Sequence, residues 1–319
     1  MQLFDRIKQA HPAIRPQVLV TPLDYSQALS GALGCEVWLK GDHLQPTGSF
    51  KVRGATNKVR LLDDAARRRG AVTASTGNHG QAVARAGKLA GVPVTVYVSA
   101  STAPSKMAGI RALGAELVVV DGPPIDAELL GRKAAAEDGR AYIPPYNDFD
   151  TMAGQGTLGM ELHEQAPDLD AVFVAVGGGG LIGGTGTALK GMGAKAKVVG
   201  VWCENSAVML RCLEAGRIIE VAERPTLTDG TAGALEPGSV TFPVCQQVID
   251  DRVLVDEAGI ADGMRRVAEA ERWMVEGSAG MAMAGLVQAA HRYRGAKVAV
   301  VLCGRNIAPR DFAEVMLEA

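Results

Sequence analysis

Residues 170–184 read DAVFVAVGGGGLIGG, an apolar run followed by four consecutive glycines and a further stretch of small and apolar residues. The apolar run predicts a strand that is buried on both faces, as in a parallel sheet. Glycine loses much backbone entropy on folding and contributes no packing, so the run 177–180 indicates that a ligand needs its bare backbone amides. A phosphate group bound where a strand passes into a helix meets that requirement.

Short apolar runs alternate with helix-patterned segments on both sides of this segment. Strands are predicted at 35–40, 70–75, 92–98, 115–120, 170–176, 197–203, 252–255 and 297–303. Helices are predicted at 80–90, 105–113, 125–138, 156–165 and 260–276. This alternation predicts an α/β fold with open parallel sheets, and 319 residues are enough for two lobes. The loop-like stretch 221–251 is longer than most connections, which favours a place beside a binding site.

Composition and charge exclude several classes of protein. Hydrophobic residues make up 47% of the chain and charged residues 21%, as in ordinary soluble globular proteins. The formal net charge is −2 and the sequence has no long run of like charge, so binding to nucleic acid is not expected. Residues 171–189 are uncharged, but seven of them are glycine, which favours a strand and a loop over a membrane span.

Cysteine usage and the N-terminal sequence indicate a cytoplasmic location. The five cysteines lack CxxC spacing and the histidines lack metal-ligand spacing, so neither a disulfide framework nor a metal site is expected. The start MQLFDRIKQAHP carries charges and has no apolar core of a signal peptide. A small molecule is the expected partner, and the choice between a monomer and a homodimer stays open.

The box TGSFK at 47–51 follows one predicted strand and precedes a helical run. Lys51 therefore stands at a helix start, where the helix dipole disfavours a cation. Burial at that place would lower the pKa of its amine, which suits a lysine that forms a Schiff base. The simpler interpretation is a surface cation beside Arg53.

Two further polar segments follow predicted strands. The loop STGNHG at 75–80 precedes a helix, and backbone N–H groups converge on anions at such helix starts. Capping of that helix would need only one of these polar residues. The segment CGRN at 303–306 ends the last predicted strand, where α/β sheets place ligand contacts. Cys303 is either such a contact or a buried structural thiol.

The glycine segment also fits a competing pattern. Gly178, Gly180 and Gly183 match G-x-G-x-x-G, and Glu204 follows the next predicted strand. This spacing is typical of dinucleotide binding, so an NAD-dependent oxidoreductase is one alternative.

Together these motifs resemble the serine/threonine dehydratase family, which are pyridoxal-phosphate enzymes of the tryptophan synthase β-like fold (fold type II). The resemblance rests on TPL (21–23), KGDHLQPTGSFKVRGA (40–55), STGNHGQA (75–82), GQGT (154–157), GGGGLIGG (177–184), DG (229–230), EGSAG (276–280) and CGRN (303–306). It implies a two-lobed fold with a large cofactor-binding domain at 1–50 and 149–319. The small domain, at 51–148, would close over the substrate. The chain length implies a catabolic form without a regulatory domain.

The resemblance also implies roles for individual residues. Lys51 would bind pyridoxal 5'-phosphate covalently and act as the catalytic base. Further contacts to the cofactor would come from Phe50, Asn78, Gly177, Gly178, Gly179, Gly180, Leu181 and Cys303. The substrate would be bound by Ser75, Thr76, Gly77 and His79, with Arg305 and Glu276 as further candidates.

The implied activity is that of a dehydratase or ammonia-lyase, which converts a β-hydroxy-α-amino acid to a 2-oxo acid and ammonia by β-elimination. L-threonine and L-serine are the first candidate substrates, and 3-phenylserine and 3-hydroxyaspartate stay open. An amino-acid racemase or a β-replacement synthase on the same fold is the alternative. Thr76 stands where related racemases carry serine and many deaminases carry alanine.

Overall fold

The structure, a computed structural model, describes residues 2–75 and 77–317. Within these residues the strands are β1 (Leu23–Tyr25), β2 (Glu36–Lys40), β3 (Ala71–Ala74), β4 (Val94–Ser99), β5 (Glu116–Val120), β6 (Ala141–Tyr142), β7 (Ala171–Ala175), β8 (Lys197–Cys203), β9 (Asp251–Val255) and β10 (Lys297–Val301). The α-helices are α1 (Leu3–Ile14), α2 (Gln27–Leu33), α3 (Lys51–Arg60), α4 (Asp64–Arg69), α5 (Asn78–Ala90), α6 (Pro104–Ala112), α7 (Pro124–Glu137), α8 (Phe149–Gln165), α9 (Gly180–Gly191), α10 (Val208–Ala215), α11 (Thr241–Val248), α12 (Glu257–Glu271), α13 (Gly277–Ala289) and α14 (Pro309–Leu317).

The strands form two separate sheets. The larger sheet has the order β1-β2-β10-β7-β8-β9, and the smaller has the order β5-β4-β3-β6. All pairs are parallel except β1 with β2, which is antiparallel. The prediction of open parallel sheets therefore holds apart from this antiparallel edge pair, whose first strand is too short to give a hydrophobic pattern.

The centre of the larger sheet forms the main core. Every residue of β7 is buried, as the continuous apolar run predicted. Helices α9 and α13 pack on the sheet, and α8 packs closely against α9. A Cβ atom at Gly184 would lie 2.6 Å from the backbone nitrogen of Gly156, so the small residues allow these two helices to touch through their backbones. This contact fixes α9, which carries the glycine loop at its N-terminus.

The helix predicted at 156–165 begins earlier, at Phe149. Two further predictions also differ from the structure. The helix predicted at 260–276 ends at Glu271, because Arg272 adopts a left-handed conformation with φ +62°. The chain then turns and begins α13 after Glu276, which packs against α12. The predicted loop 221–251 contains the short helix α11. Both differences arise because tertiary packing, more than local periodicity, decides where these helices end.

We propose that the chain divides into domains as the family resemblance implies, at 1–50 with 149–319 and at 51–148. The proposal is supported by the sheets, because the strands of the smaller sheet all lie between residues 71 and 142. Among the described residues, no helix combines the length and the apolar character needed to cross a membrane.

Candidate active site

A cavity of about 760 Å³ lies where the carboxyl ends of β3, β7 and β10 converge. Its lining includes Lys51, Asn78, the glycine run 177–180, Glu276 and Cys303, which the sequence places in five distant segments. Open α/β sheets place ligands at the carboxyl ends of their strands. The cavity is therefore the candidate active site.

Lys51 is the first residue of α3 and its amine is held inside the cavity. Its Nζ donates a hydrogen bond to the carbonyl oxygen of Pro145 at 2.9 Å, and it lies 5.1 Å from the ring centroid of Phe50. Burial lowers the pKa of Lys51 to about 8, although the nearby Cys303 and Glu276 act in the opposite direction. The interpretation of Lys51 as a surface cation is therefore wrong.

The segment after β10 is hydrogen-bonded to the lysine box. The backbone N–H of Phe50 donates to the carbonyl oxygen of Cys303 at 3.0 Å, and Ser49 forms a β-bridge with Gly304. These bonds place the Cys303 thiol near Lys51. Burial, with Glu276 as a further cause, raises the pKa of Cys303 well above its ordinary value, so its thiol stays neutral.

Helix α5 begins at Asn78 and presents its N-terminus to the cavity. Asn78 Nδ2 donates to both carboxylate oxygens of Glu276, at 2.8 and 3.1 Å, and the amide of Asn306 donates to Asn78 Oδ1. Ser75 and Gly77 also line the cavity. Thr76, predicted to bind the substrate, lies outside the described residues.

His79 is the second residue of α5, and its side chain has a backbone partner. Its Nε2 is 2.9 Å from the carbonyl oxygen of Ile143, and its ring is buried. Burial, with the charge of Lys51 as a further cause, lowers the pKa of His79 to about 3. The imidazole is therefore neutral near pH 7. Its hydrogen bond to Ile143 holds the start of α5 against the end of β6.

The glycine run has the geometry of an anion cradle. Gly179 has φ +84°, which favours glycine, and α9 begins at Gly180. A Cβ atom at Gly177 would lie 2.7 Å from the carbonyl oxygen of Thr231, and one at Gly179 would lie 2.7 Å from Cys245 Sγ. Only bare backbone fits here, and the free N–H groups of a helix start bind phosphate well. These residues therefore fit a phosphate-bearing cofactor.

Glu276 directly precedes α13 and faces Asn78 at the start of α5. Its carboxylate accepts from Asn78 and from the backbone N–H of Asn306, the latter at 2.9 Å. A Cβ atom at Gly304 would lie 2.5 Å from Glu276 Oε1, so glycine at 304 makes room for this carboxylate. Burial raises the pKa of Glu276 above its ordinary value.

Two other predicted residues have different surroundings. Leu181 is buried and lines the cavity beside the glycine run. Arg305 is exposed and does not belong to the cavity lining, because its backbone N–H pairs with the carbonyl of Gly48 while its side chain faces outward.

Sequence reasoning missed Tyr146 and three acidic residues that also line the cavity, Glu128, Asp229 and Glu236. A Cβ atom at Gly178 would lie 2.5 Å from Cγ of Tyr146, so this ring covers the glycine run. The backbone N–H of Glu236 donates to the Tyr146 hydroxyl at 3.0 Å. The loop 229–237 also lines the cavity, which confirms that the stretch 221–251 borders the site. The Pro144-Pro145 pair before Tyr146 was the only sequence signal.

A buried ion-pair network lies behind Lys51. Arg53, on the same helix, bonds Asp42 at 2.7 and 2.8 Å and Glu161 at 2.6 and 2.8 Å. Lys40 Nζ donates to Glu161 at 2.7 Å. All four side chains are almost completely buried. The network fixes the first turn of α3, and with it Lys51, against α8.

Residues 14–304 match the model of one protein family, described as pyridoxal-phosphate dependent enzyme. The chain is 38% identical to the L-threonine ammonia-lyase of Thermotoga maritima over 96% of this chain and 76% of that protein. It is 34% identical to the L-threo-3-hydroxyaspartate ammonia-lyase of Saccharomyces cerevisiae over 98% of this chain and 96% of that protein.

The fold is also similar to that of solved structures. Threonine deaminase isoform 2 from Solanum lycopersicum superposes with a TM-score of 0.94 at 32% identity, covering 98% of this chain and 92% of that chain. Serine racemase from maize superposes with a TM-score of 0.91 at 30% identity, covering 98% of each chain.

Proposed function

The chain belongs to the family of pyridoxal-phosphate dependent enzymes, and on this premise we propose that it is an ammonia-lyase that eliminates water from a β-hydroxy-α-amino acid. L-threonine and L-serine are the first candidate substrates, and a 2-oxo acid and ammonia are the products. The observation that carries the proposal is one cavity that holds the Lys51 amine, a cradle of bare glycine amides and the polar start of α5.

Different residues of the cavity would bind different parts of the cofactor. The amides of Gly177 to Gly180, with Leu181 beside them, would hold its phosphate, and Lys51 would hold its aldehyde carbon. Phe50, Asn78 and Cys303 would contact the ring. When bound, pyridoxal phosphate supplies an electron-withdrawing group that makes the Cα proton of an amino acid acidic.

Lys51, once the amine of the substrate has displaced it from the aldehyde carbon, would serve as the base at Cα. With a pKa of about 8, a useful fraction of its amine is neutral near pH 7 and can accept a proton. The Pro145 carbonyl, 2.9 Å from Nζ, orients this amine in the cavity. Loss of the β-hydroxyl as water then leaves an enamine, which hydrolyses after release to the 2-oxo acid and ammonia.

Cys303 would favour elimination over transamination. Its raised pKa keeps the thiol neutral, so it would stabilise a positive charge on the ring of a bound cofactor less than a carboxylate would. A weaker electron sink disfavours a long-lived carbanion at Cα. The substrate carboxylate would rest on the start of α5 with Ser75, Gly77 and His79, and we propose Thr76 there from the sequence.

The test compares Lys51→Ala with Lys133→Ala, a change at an exposed position of α7 that serves as a matched control. Lys51→Ala is expected to abolish both the visible absorbance of the bound cofactor and 2-oxo acid release from L-threonine and L-serine. Borohydride reduction should attach the cofactor to the peptide containing residue 51 in the wild type and in the control. Turnover and absorbance that persist in Lys51→Ala would contradict the proposal.

A racemase is the second candidate, supported by the similarity to maize serine racemase. The circular dichroism of the unconsumed amino acid measures inversion at Cα, and 2-oxo acid release measures elimination. We expect elimination to be the faster reaction. The NAD-dependent alternative does not fit, because Glu204 is exposed and lies outside the cavity lining.

A further inference from the structure

One wall of the cavity is built by α7 and the loop 229–237, and this wall connects directly to Lys51. Pro145 accepts the hydrogen bond from Lys51, and the next residue, Tyr146, covers Gly178 with its ring. The Tyr146 hydroxyl accepts from the backbone N–H of Glu236 at 3.0 Å. With the cofactor phosphate at 177–180 and the substrate carboxylate at the start of α5, as proposed above, a substituent on the β-carbon of a bound amino acid would extend from Lys51 towards this wall.

The cations of the wall are already paired. Arg132 Nη2 lies 2.8 Å from Glu128 Oε1 and 2.8 Å from Glu236 Oε1, and its guanidinium stacks 4.4 Å from the ring centroid of Tyr142. Lys106 Nζ lies 3.2 Å from Asp229 Oδ2. Asn147 Nδ2 donates to the other oxygen of Glu236 at 2.9 Å, which holds this carboxylate in place.

The wall consequently carries more negative than positive charge. Glu128, Asp229 and Glu236 face Lys106 and Arg132, which makes three carboxylates against two cations. Among the described residues that line the cavity, the other lysine or arginine is Lys51, which the reaction occupies. Burial keeps His79 neutral, and the exposed Arg305 is outside the lining. A carboxylate on the substrate side chain would find no free cation here.

Apolar side chains stand at the same wall. Ile125 and Leu129 of α7 line the cavity and are 55% and 59% exposed. These side chains can pack against an uncharged substituent, but they cannot donate a hydrogen bond or supply a positive charge to an anion. The like charge of the wall would oppose an anionic substituent, which is how many sites reject a wrong ligand.

We infer that the site takes β-hydroxy-α-amino acids whose β-substituent carries no negative charge, and that it discriminates against 3-hydroxyaspartate. This inference rests on the proposed function. It separates the chain from the yeast relative named L-threo-3-hydroxyaspartate ammonia-lyase and removes one of the substrates that the sequence left open.

The test uses two amino acids of nearly the same size, L-threo-3-hydroxyaspartate and L-threo-3-hydroxyasparagine. Each is titrated into the holoenzyme, and the change in the cofactor's absorbance gives a Kd whether or not elimination follows. We expect hydroxyasparagine to bind about ten-fold more tightly or better, because like charges at close range are costly. Equal or tighter binding of hydroxyaspartate would overturn the inference, as would a spectrum that responds to neither.

Variants of the wall test the cause. Glu128→Gln combined with Glu236→Gln leaves Arg132 unpaired and is expected to reduce the preference for hydroxyasparagine about ten-fold. Glu236→Gln alone should also reduce the preference for hydroxyasparagine. This single variant provides the test if the double variant folds poorly. Glu137→Gln, an exposed change on the same helix, is the matched control and should leave the preference unchanged.

An unaltered preference in both wall variants would overturn the inference even if the wild type prefers hydroxyasparagine. Release of 2-oxo acid from L-threonine is measured in parallel. It tests the proposed reaction, so a failure of that reaction is distinguished from a failure of the charge argument.

Discussion

At the scale of single residues, the site depends on groups whose protonation is changed by burial. Lys51 has a lowered pKa, while Cys303 and Glu276 have raised ones. In each case burial is the largest cause, because removal of water disfavours the charged form. All three groups are thereby shifted towards their neutral forms, which is what a basic amine and an uncharged thiol require.

Under the proposed role of Lys51, its lowered pKa would make the attachment of pyridoxal phosphate to the apoenzyme dependent on pH. We expect the attachment rate to rise about ten-fold per pH unit below pH 8 and to level off above it, because only the neutral amine reacts. The measurement is stopped-flow absorbance over a range of pH. Lys51→Ala should show no attachment, and a midpoint near 10.5, the ordinary value for lysine, would contradict the prediction.

The same shift has a consequence for stability. The folded chain binds the Lys51 proton less firmly than the unfolded chain does, so the unfolded state holds more protons between about pH 8 and pH 10.5. The contribution of Lys51 to the free energy of unfolding of the apoenzyme therefore rises with pH across this window.

At the scale of single elements, the glycine run decides what α9 can bind. A side chain at position 179 would be unfavourable for two reasons. Gly179 has a left-handed backbone conformation, and a Cβ atom there would lie too close to Cys245 and Met209. The sequence showed the run of glycines, but the neighbours that forbid a Cβ come from α10 and α11. Those contacts are tertiary.

Gly179→Ala is expected to destabilise the apoenzyme more than Gly193→Ala and to weaken cofactor binding. Gly193 also has a positive φ, +74°, but a Cβ there would meet no atom within 4 Å. Both variants lose about 1–2 kcal/mol from the left-handed backbone, and Gly179→Ala loses about 1–3 kcal/mol more from overpacking. Urea unfolding and the Kd of pyridoxal phosphate measure the two effects; equal stability losses in both variants would contradict the argument.

A second prediction at this scale concerns the ion pairs between α3 and α8. Arg53→Met leaves the carboxylates of Asp42 and Glu161 buried without their main partner. We expect a loss of about 3–5 kcal/mol in the free energy of unfolding, as for other buried pairs that lose one member. Arg310→Met removes an exposed pair with Glu314 and should cost less than about 1 kcal/mol. A loss for Arg53→Met as small as that of the control would show that the network does not stabilise the fold.

At the scale of the whole molecule, the two sheets differ in size. In both sheets of the described residues the inner strands are mostly buried and the edge strands are partly exposed, but the larger sheet has four inner strands and the smaller sheet has two. The hydrogen bond from Asn78 of α5 to Glu276, which precedes α13, connects elements on opposite sides of the cavity. We therefore expect the smaller sheet to be the less stable part of the fold.

Hydrogen exchange is expected to follow this difference. Amides of β7 and β8 should exchange only on global unfolding, while those of β5 and β6 exchange earlier through local opening. Mass spectrometry of proteolytic fragments after timed labelling measures both. Uniform protection of the two sheets, or earlier exchange in the larger one, would be inconsistent with this view.

The glycine run, the lysine at a helix start and the polar segment at 75–80 could be identified from the chain alone, because the residues of each motif are neighbours in the sequence. The family comparisons confirm the resemblance, the fold and the cofactor that these motifs predicted. Three features could not be predicted in this way: the end of α12 at Glu271, the position of Tyr146 and the pairing of Arg132 with Glu236. These features depend on how separate elements pack. Tyr146 and Arg132 contact Glu236, which lies about 100 residues later in the chain, and α12 ends where α13 turns back and packs against it. No local pattern of hydrophobicity or turn residues encodes that packing.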